Sequence, residues 1–171
     1  NIVRSIYIVL LIPVQALSTA ANTLVSNLIG AGGIGNVMRL VKKIALISLI
    51  VVSFCVVLMM VFPKAFLSIY TSEASLLVES VPSVCVIGVA MLVGAVANVY
   101  FSGISGTGNT QAALWLESGT LVIYALYVFV VGWWLQAPVS VCFTTEIVYY
   151  ALLLVSSFIY LKKANWQSKK I

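Results

Sequence analysis

Long stretches without a single charged residue constrain this chain more than any other feature. They run over residues 5–38, 44–63, 80–116, 118–145 and 147–161. Charged residues make up 8% of the sequence and hydrophobic residues 63%, whereas soluble domains contain roughly 25% and 45–50%. One core cannot bury so much apolar surface, which excludes a soluble enzyme, a disordered segment and a secreted disulfide scaffold. The sequence therefore predicts a protein that lies in a lipid bilayer.

These stretches divide into five predicted transmembrane helices. The first and third stretches are broken by Gly-rich segments, and splitting them there gives spans at about 5–29, 44–62, 80–102, 111–135 and 139–161, with a tail at 162–171. At ~1.5 Å per residue, each span can cross a hydrocarbon layer of ~30 Å. Backbone groups in lipid must pair internally, and the alternation of a β-barrel is lacking. The predicted fold is all-α, a polytopic transmembrane helical bundle.

The basic residues predict its orientation. With five crossings, one side of the membrane holds both Gly-rich loops, the carboxy terminus and seven bases: Arg39, Lys42, Lys43, Lys162, Lys163, Lys169 and Lys170. The other side holds only Arg4 and Lys64. Because short cytoplasmic loops are enriched in Lys and Arg, we expect the carboxy terminus in the cytoplasm and the protein in the cell membrane. This anchoring accounts for the net charge of +5, so no nucleic acid partner is expected.

Two residue types that support much enzyme chemistry are missing from the sequence. It contains no His and no Asp, so a zinc site, a His-based triad and an EF-hand have no ligands or bases to use. Cys55, Cys85 and Cys142 are far apart within apolar runs, which is typical of small core residues. We therefore expect neither an enzyme nor a metal or cofactor site.

The first span carries a polar face. Gln15, Ser18 or Thr19, Asn22 and Ser26 recur at three- and four-residue spacing, which places them on one side of a helix. Amides are costly in lipid, so this face either bonds to other helices or lines a cavity. Pro13 removes one backbone hydrogen bond and permits a kink.

The third span carries a row of mostly small residues at four-residue spacing: Ala90, Gly94, Asn98 and Ser102. Such a row lets a neighbouring helix approach closely, and packing is the favoured interpretation. The alternative is a cavity wall centred on Asn98.

Two acids fall within predicted spans. Glu117 shares one face of the fourth span with Tyr124, and Glu146 lies in the fifth span, ~10 Å from its outer end and one turn from Tyr150. An acid in the membrane needs a proton, a cation or a basic partner, and the predicted spans contain no Lys or Arg. Interfacial solvation is the alternative for both acids. The candidate substrate and ion pathway is Gln15, Asn22, Asn98, Glu117, Tyr124, Glu146 and Tyr150.

Two segments carry a resemblance to a known family. The first is the pattern Pro13, Ala16, Ala20-Ala21, Leu24-Val25 and Leu28-Ile29-Gly30-Ala31-Gly32, followed by basic residues. It resembles a span-and-loop signature of the multidrug and toxic compound extrusion (MATE) family. The second, Ser105-Gly106-Thr107-Gly108-Asn109-Thr110, looks like that family's "RGxGDT"-type loop.

The resemblance implies both an architecture and an activity. The family is built from two six-helix bundles, so this chain would be a carboxy-terminal portion, the last five helices of the second bundle, with seven helices missing. The implied function is a secondary antiporter that exports organic, often cationic, drugs and toxic compounds by alternating access. Na⁺ or H⁺ would drive it, without any other cofactor. The expected partners are the lipid bilayer, a small organic cation and the missing amino-terminal helices.

The chain departs from the family pattern at three places. Ser105 and Asn109 stand where relatives often carry Arg and Asp, and no acid lies at 80–102, where many relatives place a coupling acid. The coupling acid is then either Glu146 or a residue of the missing part. Two alternative functions are a lipid-linked oligosaccharide flippase of related architecture and a non-transporting membrane subunit. A flippase would need cavity cations for pyrophosphate, and none lies in the predicted spans.

Overall fold

The computed structural model describes residues 2–62, 74–134 and 139–163, and helices account for most of them. Five of these helices are long and apolar enough to cross a membrane. They are α1 (Ile2–Gly30), α2 (Val37–Val61), α3 (Ala74–Gly106), α4 (Thr110–Phe129) and α5 (Thr144–Lys163). The described residues contain no strand. The predicted all-α, polytopic transmembrane bundle is confirmed.

The helix bounds differ from the predicted spans at several ends. The second helix begins at Val37 instead of 44, because Val37 and Val41 are buried there while the neighbouring Arg39, Lys42 and Lys43 remain exposed. The charges limited the predicted span but do not interrupt the helix. At the other side of the bundle, α3 already begins at Ala74, in the loop that the predicted spans leave at 63–79. The rest of that loop and most of the tail at 162–171 lie outside the described residues.

Three short helical segments adjoin the long helices. A 3₁₀ turn, Ile34–Asn36, precedes α2, and a π-helical turn, Val130–Trp134, continues α4. A single turn, Val139–Cys142, precedes α5. The fourth predicted span therefore combines a 20-residue α-helix with a π turn, and the fifth is divided near Phe143.

The central helix is α3, which packs against α1, α2 and α5. Its amino-terminal half, with Ile87 and Met91, joins one hydrophobic cluster, and its carboxy-terminal half, with Val99 and Ile104, joins a second. In contrast, α4 packs mainly on α5 and leaves most of its surface uncovered. The bundle thus has a closely packed part around α3 and a peripheral helix beside α5.

The two Gly-rich loops end their helices with the same turn. Gly32 and Gly108, which are 76 residues apart in sequence, both have φ of +79°. Each donates its N–H to the carbonyl three residues earlier, Gly32 to Ile29 at 2.9 Å and Gly108 to Ser105 at 3.1 Å. A left-handed residue after a helix is usually Gly, because a Cβ is strained there. The common turn brings both loops to the same end of the bundle.

Asn109 fixes α4 beside α5. Its Oδ1 accepts a hydrogen bond from the backbone N–H of Ala112 at 3.3 Å, which caps the helix, and its Nδ2 donates to the Tyr160 hydroxyl at 2.5 Å. An Asp could cap α4 but could not donate to Tyr160 through an amide. Asn109 therefore caps α4 and bonds to Tyr160 without a charge, whereas an Asp would have to accept from the Tyr160 hydroxyl.

At Gly106, α3 lies close against the backbone of α1. A Cβ on this residue would lie 2.7 Å from the Asn22 carbonyl oxygen, and the Ser26 hydroxyl donates to the Gly106 carbonyl at 3.0 Å. Because the opposing atoms belong to the backbone, they cannot move aside as a flexible side chain could.

We expect Gly106→Ala to destabilise the bundle by about 1–3 kcal/mol, since overpacking has this cost. The matched control is Gly119→Ala in α4, where a Cβ meets no atom within 4 Å and the helix should gain about 0.5–1 kcal/mol. Thermal unfolding of the purified protein in detergent measures both. Equal midpoints for the two variants would contradict the close contact between α1 and α3.

Candidate functional site

Glu146 lies in the first turn of α5, immediately after a bend in the chain. The bend has a local cause: the hydroxyls of Thr144 and Thr145 donate to the carbonyls of Val141 and Cys142, at 2.6 and 2.7 Å. Such back-bonding by Thr competes with the regular helical ladder and bends helices. The sequence prediction of a continuous span from 139 placed Glu146 about two turns inside a helix. The structure instead places it at the start of one.

Two tyrosines from other helices donate hydrogen bonds to the Glu146 carboxylate. The Tyr7 hydroxyl of α1 lies 3.2 Å from Oε2, and the Tyr124 hydroxyl of α4 lies 3.4 Å from Oε1. Both oxygens of one half-buried carboxylate are thus engaged, each by a different helix. Glu146 is the point at which α1, α4 and α5 are joined by polar contacts.

Tyr150 extends this group towards the central helix. Its hydroxyl lies 3.0 Å from that of Tyr7, and its ring packs against α3, where a Cβ on Gly94 would lie 3.1 Å from the ring. Asn98, one turn further along α3, donates from Nδ2 to the Gly94 carbonyl at 2.9 Å. The row of small residues on α3 therefore serves helix packing at Gly94, and Asn98 bonds to its own helix while lying within reach of the Tyr150 hydroxyl.

Aromatic rings enclose the carboxylate side of the group. Tyr149 meets Tyr124 edge to face, with ring centroids 5.6 Å apart, and meets Tyr150 in the same manner at 5.2 Å. Edge-to-face pairs at this separation are favourable. We call Tyr7, Tyr124, Glu146, Tyr149 and Tyr150 the tyrosine–glutamate cluster.

The described residues give Glu146 no basic partner. Its polar contacts are those with Tyr7 and Tyr124, and neither Lys nor Arg forms an ion pair with it. A carboxylate that accepts two hydroxyl bonds can still bind a proton or a small cation at its remaining lone pairs. The cluster therefore has the chemistry of a cation or proton site, with oxygen ligands and aromatic faces.

The polar face of α1 is left uncovered by the other described helices. Gln15, Thr19 and Asn22 are exposed, whereas Ser18 is buried. The Thr19 hydroxyl bonds only to the Gln15 carbonyl of its own helix, at 2.9 Å, and the Ser26 hydroxyl makes the one side-chain hydrogen bond from this face to another described helix. Hydrogen bonds within the described bundle do not satisfy the polar side chains of this face. The face therefore lines a cavity or contacts helices that lie beyond the described residues.

Glu117 lies apart from Glu146 on α4. It is half-buried, on the same face as the buried Thr120 and the half-buried Tyr124, as the sequence predicted. It has no hydrogen-bond partner among the described residues. The structure thus brings Tyr124 into contact with Glu146 and joins Tyr150 to Glu146 through Tyr7. Asn98 lies beside Tyr150, and Glu117 is close enough to Tyr149 for an electrostatic interaction. Gln15 and Asn22 lie outside the cluster.

Sequence reasoning missed Tyr7. A signal was present, because Tyr7 precedes Ser18 by eleven residues, about three helical turns, and so lies on the same side of α1 as this residue of the polar face. The apolar residues around Tyr7 concealed it. The predicted pathway also lacks Tyr149, although this residue follows Glu146 by only three positions.

Comparison with known families now adds independent evidence. The sequence model of the MatE family matches residues 1–123, more than two thirds of the chain. The match covers α1, α2, α3 and most of α4 but ends before Tyr124 and Glu146, so their roles have to be argued from geometry. Comparison with curated proteins and with solved structures found no match. The chain is a multi-pass membrane protein and belongs to the MatE family of transporters.

Proposed function

We propose that this chain is part of a cation-coupled antiporter that exports organic cations across the cytoplasmic membrane, with its carboxy terminus in the cytoplasm. Na⁺ or H⁺ is the coupling ion, and Glu146 binds it. The observation that carries the proposal is the pair of hydroxyl bonds from α1 and α4 to a carboxylate without a basic partner.

Binding at Glu146 couples to helix position through these two bonds. Tyr7 and Tyr124 both donate to the carboxylate, and a bound proton or cation reduces its negative charge, so binding weakens both contacts between helices. A ligand shifts a conformational equilibrium only by its differential affinity for the two states. An ion that binds better when α1 and α4 have separated from Glu146 therefore favours the separated state, and release of the ion favours the joined state.

The uncovered face of α1 supplies a wall for the substrate. Gln15 and Asn22 offer amide oxygens and nitrogens, which suit a partly hydrated organic molecule passing between helices. Discontinuous or irregular segments near binding sites are a feature of secondary transporters, and the bend before Glu146 is of this kind. Glu117 adds a second acid on the same side of α4 as Tyr124, where it attracts cationic substrates.

Glu146→Gln should abolish ion-coupled efflux while leaving the fold intact, because Gln keeps the shape and one acceptor but cannot be charged or protonated. The assay is efflux of a fluorescent organic cation from vesicles that contain the full-length protein, under imposed Na⁺ or pH gradients. We expect at least a ten-fold loss of gradient-dependent efflux. Ser156→Ala is the matched control on α5, since its hydroxyl bonds only to the Leu153 carbonyl. Gradient-dependent efflux retained by Glu146→Gln would remove this residue from the ion site.

Tyr7→Phe should change the ion requirement without removing transport. The substitution keeps the ring but deletes the bonds to Glu146 and Tyr150. A hydrogen bond to a charged group contributes ~1.5 kcal/mol or more, so the half-maximal ion concentration should shift by roughly ten-fold.

The same efflux assay, run over a range of Na⁺ concentrations and pH values, measures this shift. Tyr127→Phe is the control, since its hydroxyl has only a 3.4 Å contact with Thr144. A shift of equal size in both variants would contradict the specific role of Tyr7, because loss of any tyrosine hydroxyl near the bend would then have this effect.

A further inference from the structure

An apolar groove lies between α3 and α5, on the surface of the described bundle. It has a volume of about 350 Å³ and is lined by Val96, Tyr100, Leu154, Val155, Phe158 and Ile159. This volume is within the range of small-molecule sites, ~300–1,000 Å³. Tyr100 forms its buried floor, and Val155, Phe158 and Ile159 are partly exposed along its edge. The groove is therefore a defined apolar site that faces the membrane.

One end of the groove is positively charged. Lys162 follows Phe158 by one helical turn, and its Nζ lies 5.8 Å from the centroid of the Phe158 ring. This contact is within the range of a cation–π interaction and holds the ammonium group at the end of the groove. The aliphatic stem can follow the apolar wall while the charge reaches the membrane surface.

Further bases lie at the same depth. At Gly103 of α3, an added Cβ would lie 2.9 Å from Val41 of α2 and 3.7 Å from Leu161 of α5. The exposed Lys42 and Lys162 adjoin these two residues in sequence, so both belong to one layer of the bundle. Neither described acid of the spans, Glu117 or Glu146, touches the groove. The apolar groove thus opens towards a basic layer.

We propose that the groove binds an anionic phospholipid, with one acyl chain along α3 and α5 and the phosphate beside Lys162. Basic residues where transmembrane helices meet the cytoplasmic surface recognise anionic headgroups. The groove spans only residues 154–159 of α5, a rise of ~8 Å. This length suits part of an acyl chain, whereas a further transmembrane helix would need contact over ~30 Å. The site is independent of the proposed ion coupling.

Native mass spectrometry of the full-length protein tests the headgroup part of the proposal. The protein is incubated with phosphatidylglycerol or with phosphatidylethanolamine of the same acyl chains. We expect tighter binding of phosphatidylglycerol and a loss of about five-fold in Lys162→Gln. Lys163→Gln is the matched control: it removes the same charge from the same turn, but Lys163 points elsewhere around the helix and should leave binding unchanged. Equal losses in both variants, or no preference between the lipids, would overturn the proposal.

Filling the groove tests the acyl-chain part. Val155→Trp should weaken binding of both lipids, because the indole takes the space of the chain. Excess inorganic phosphate should not displace phosphatidylglycerol; displacement would mean that the site binds phosphate alone and would contradict a lipid site. A photoreactive side chain at 155 should crosslink to lipid in the membrane. Crosslinking to another part of the protein would show that a helix covers the groove and would overturn the proposal.

Discussion

The structure depends on one constraint: hydrophilic side chains within a membrane must be turned away from lipid. This chain has few such side chains, and most of those in the described helices are hydrogen-bonded in one of two ways. Hydroxyls of residues such as Thr19 and Thr120 bond to carbonyls of their own helix, and the tyrosine–glutamate cluster satisfies the Glu146 carboxylate by contacts between helices. The exposed amides of α1 follow neither route, and for this reason we propose that they line a water-filled passage.

Close packing around α3 makes this arrangement possible. Apolar burial does little to drive helix association inside a bilayer, so close approach through small residues has to supply it. Gly94 admits the Tyr150 ring and Gly106 admits the backbone of α1. The first contact fixes the residue that bonds to Tyr7, and the second fixes the helix that carries Tyr7. The packing of small residues and the geometry of the tyrosine–glutamate cluster are therefore parts of one structure.

Much of the fold followed from composition and charge, since apolar runs of sufficient length permit few structures other than helices in lipid. Details that depend on contacts between side chains could not be predicted in this way. The charge pattern predicts that the second helix begins at 44, whereas α2 begins at Val37. The reason is that a helix tolerates bases such as Arg39, Lys42 and Lys43 on its exposed face. The bend before Glu146 arises from two threonine hydroxyls, and the role of Tyr7 arises from a contact with a residue 139 positions away. The bend has no periodic signature in the sequence, and the spacing of Tyr7 indicates its side of the helix but not its partner.

Spin-label accessibility tests most directly whether a water-filled passage lies beside α1. Thr19 of α1 and Ile50 of α2 each lie near the middle of a helix and are exposed from the described bundle. Cys variants labelled at these positions, in the full-length protein reconstituted into bilayers, report collisions with a water-soluble nickel complex and with oxygen. The account predicts that the label at 19 is relaxed mainly by nickel and the label at 50 mainly by oxygen. A label at 19 that reports oxygen alone, or neither reagent, would contradict a water-filled passage.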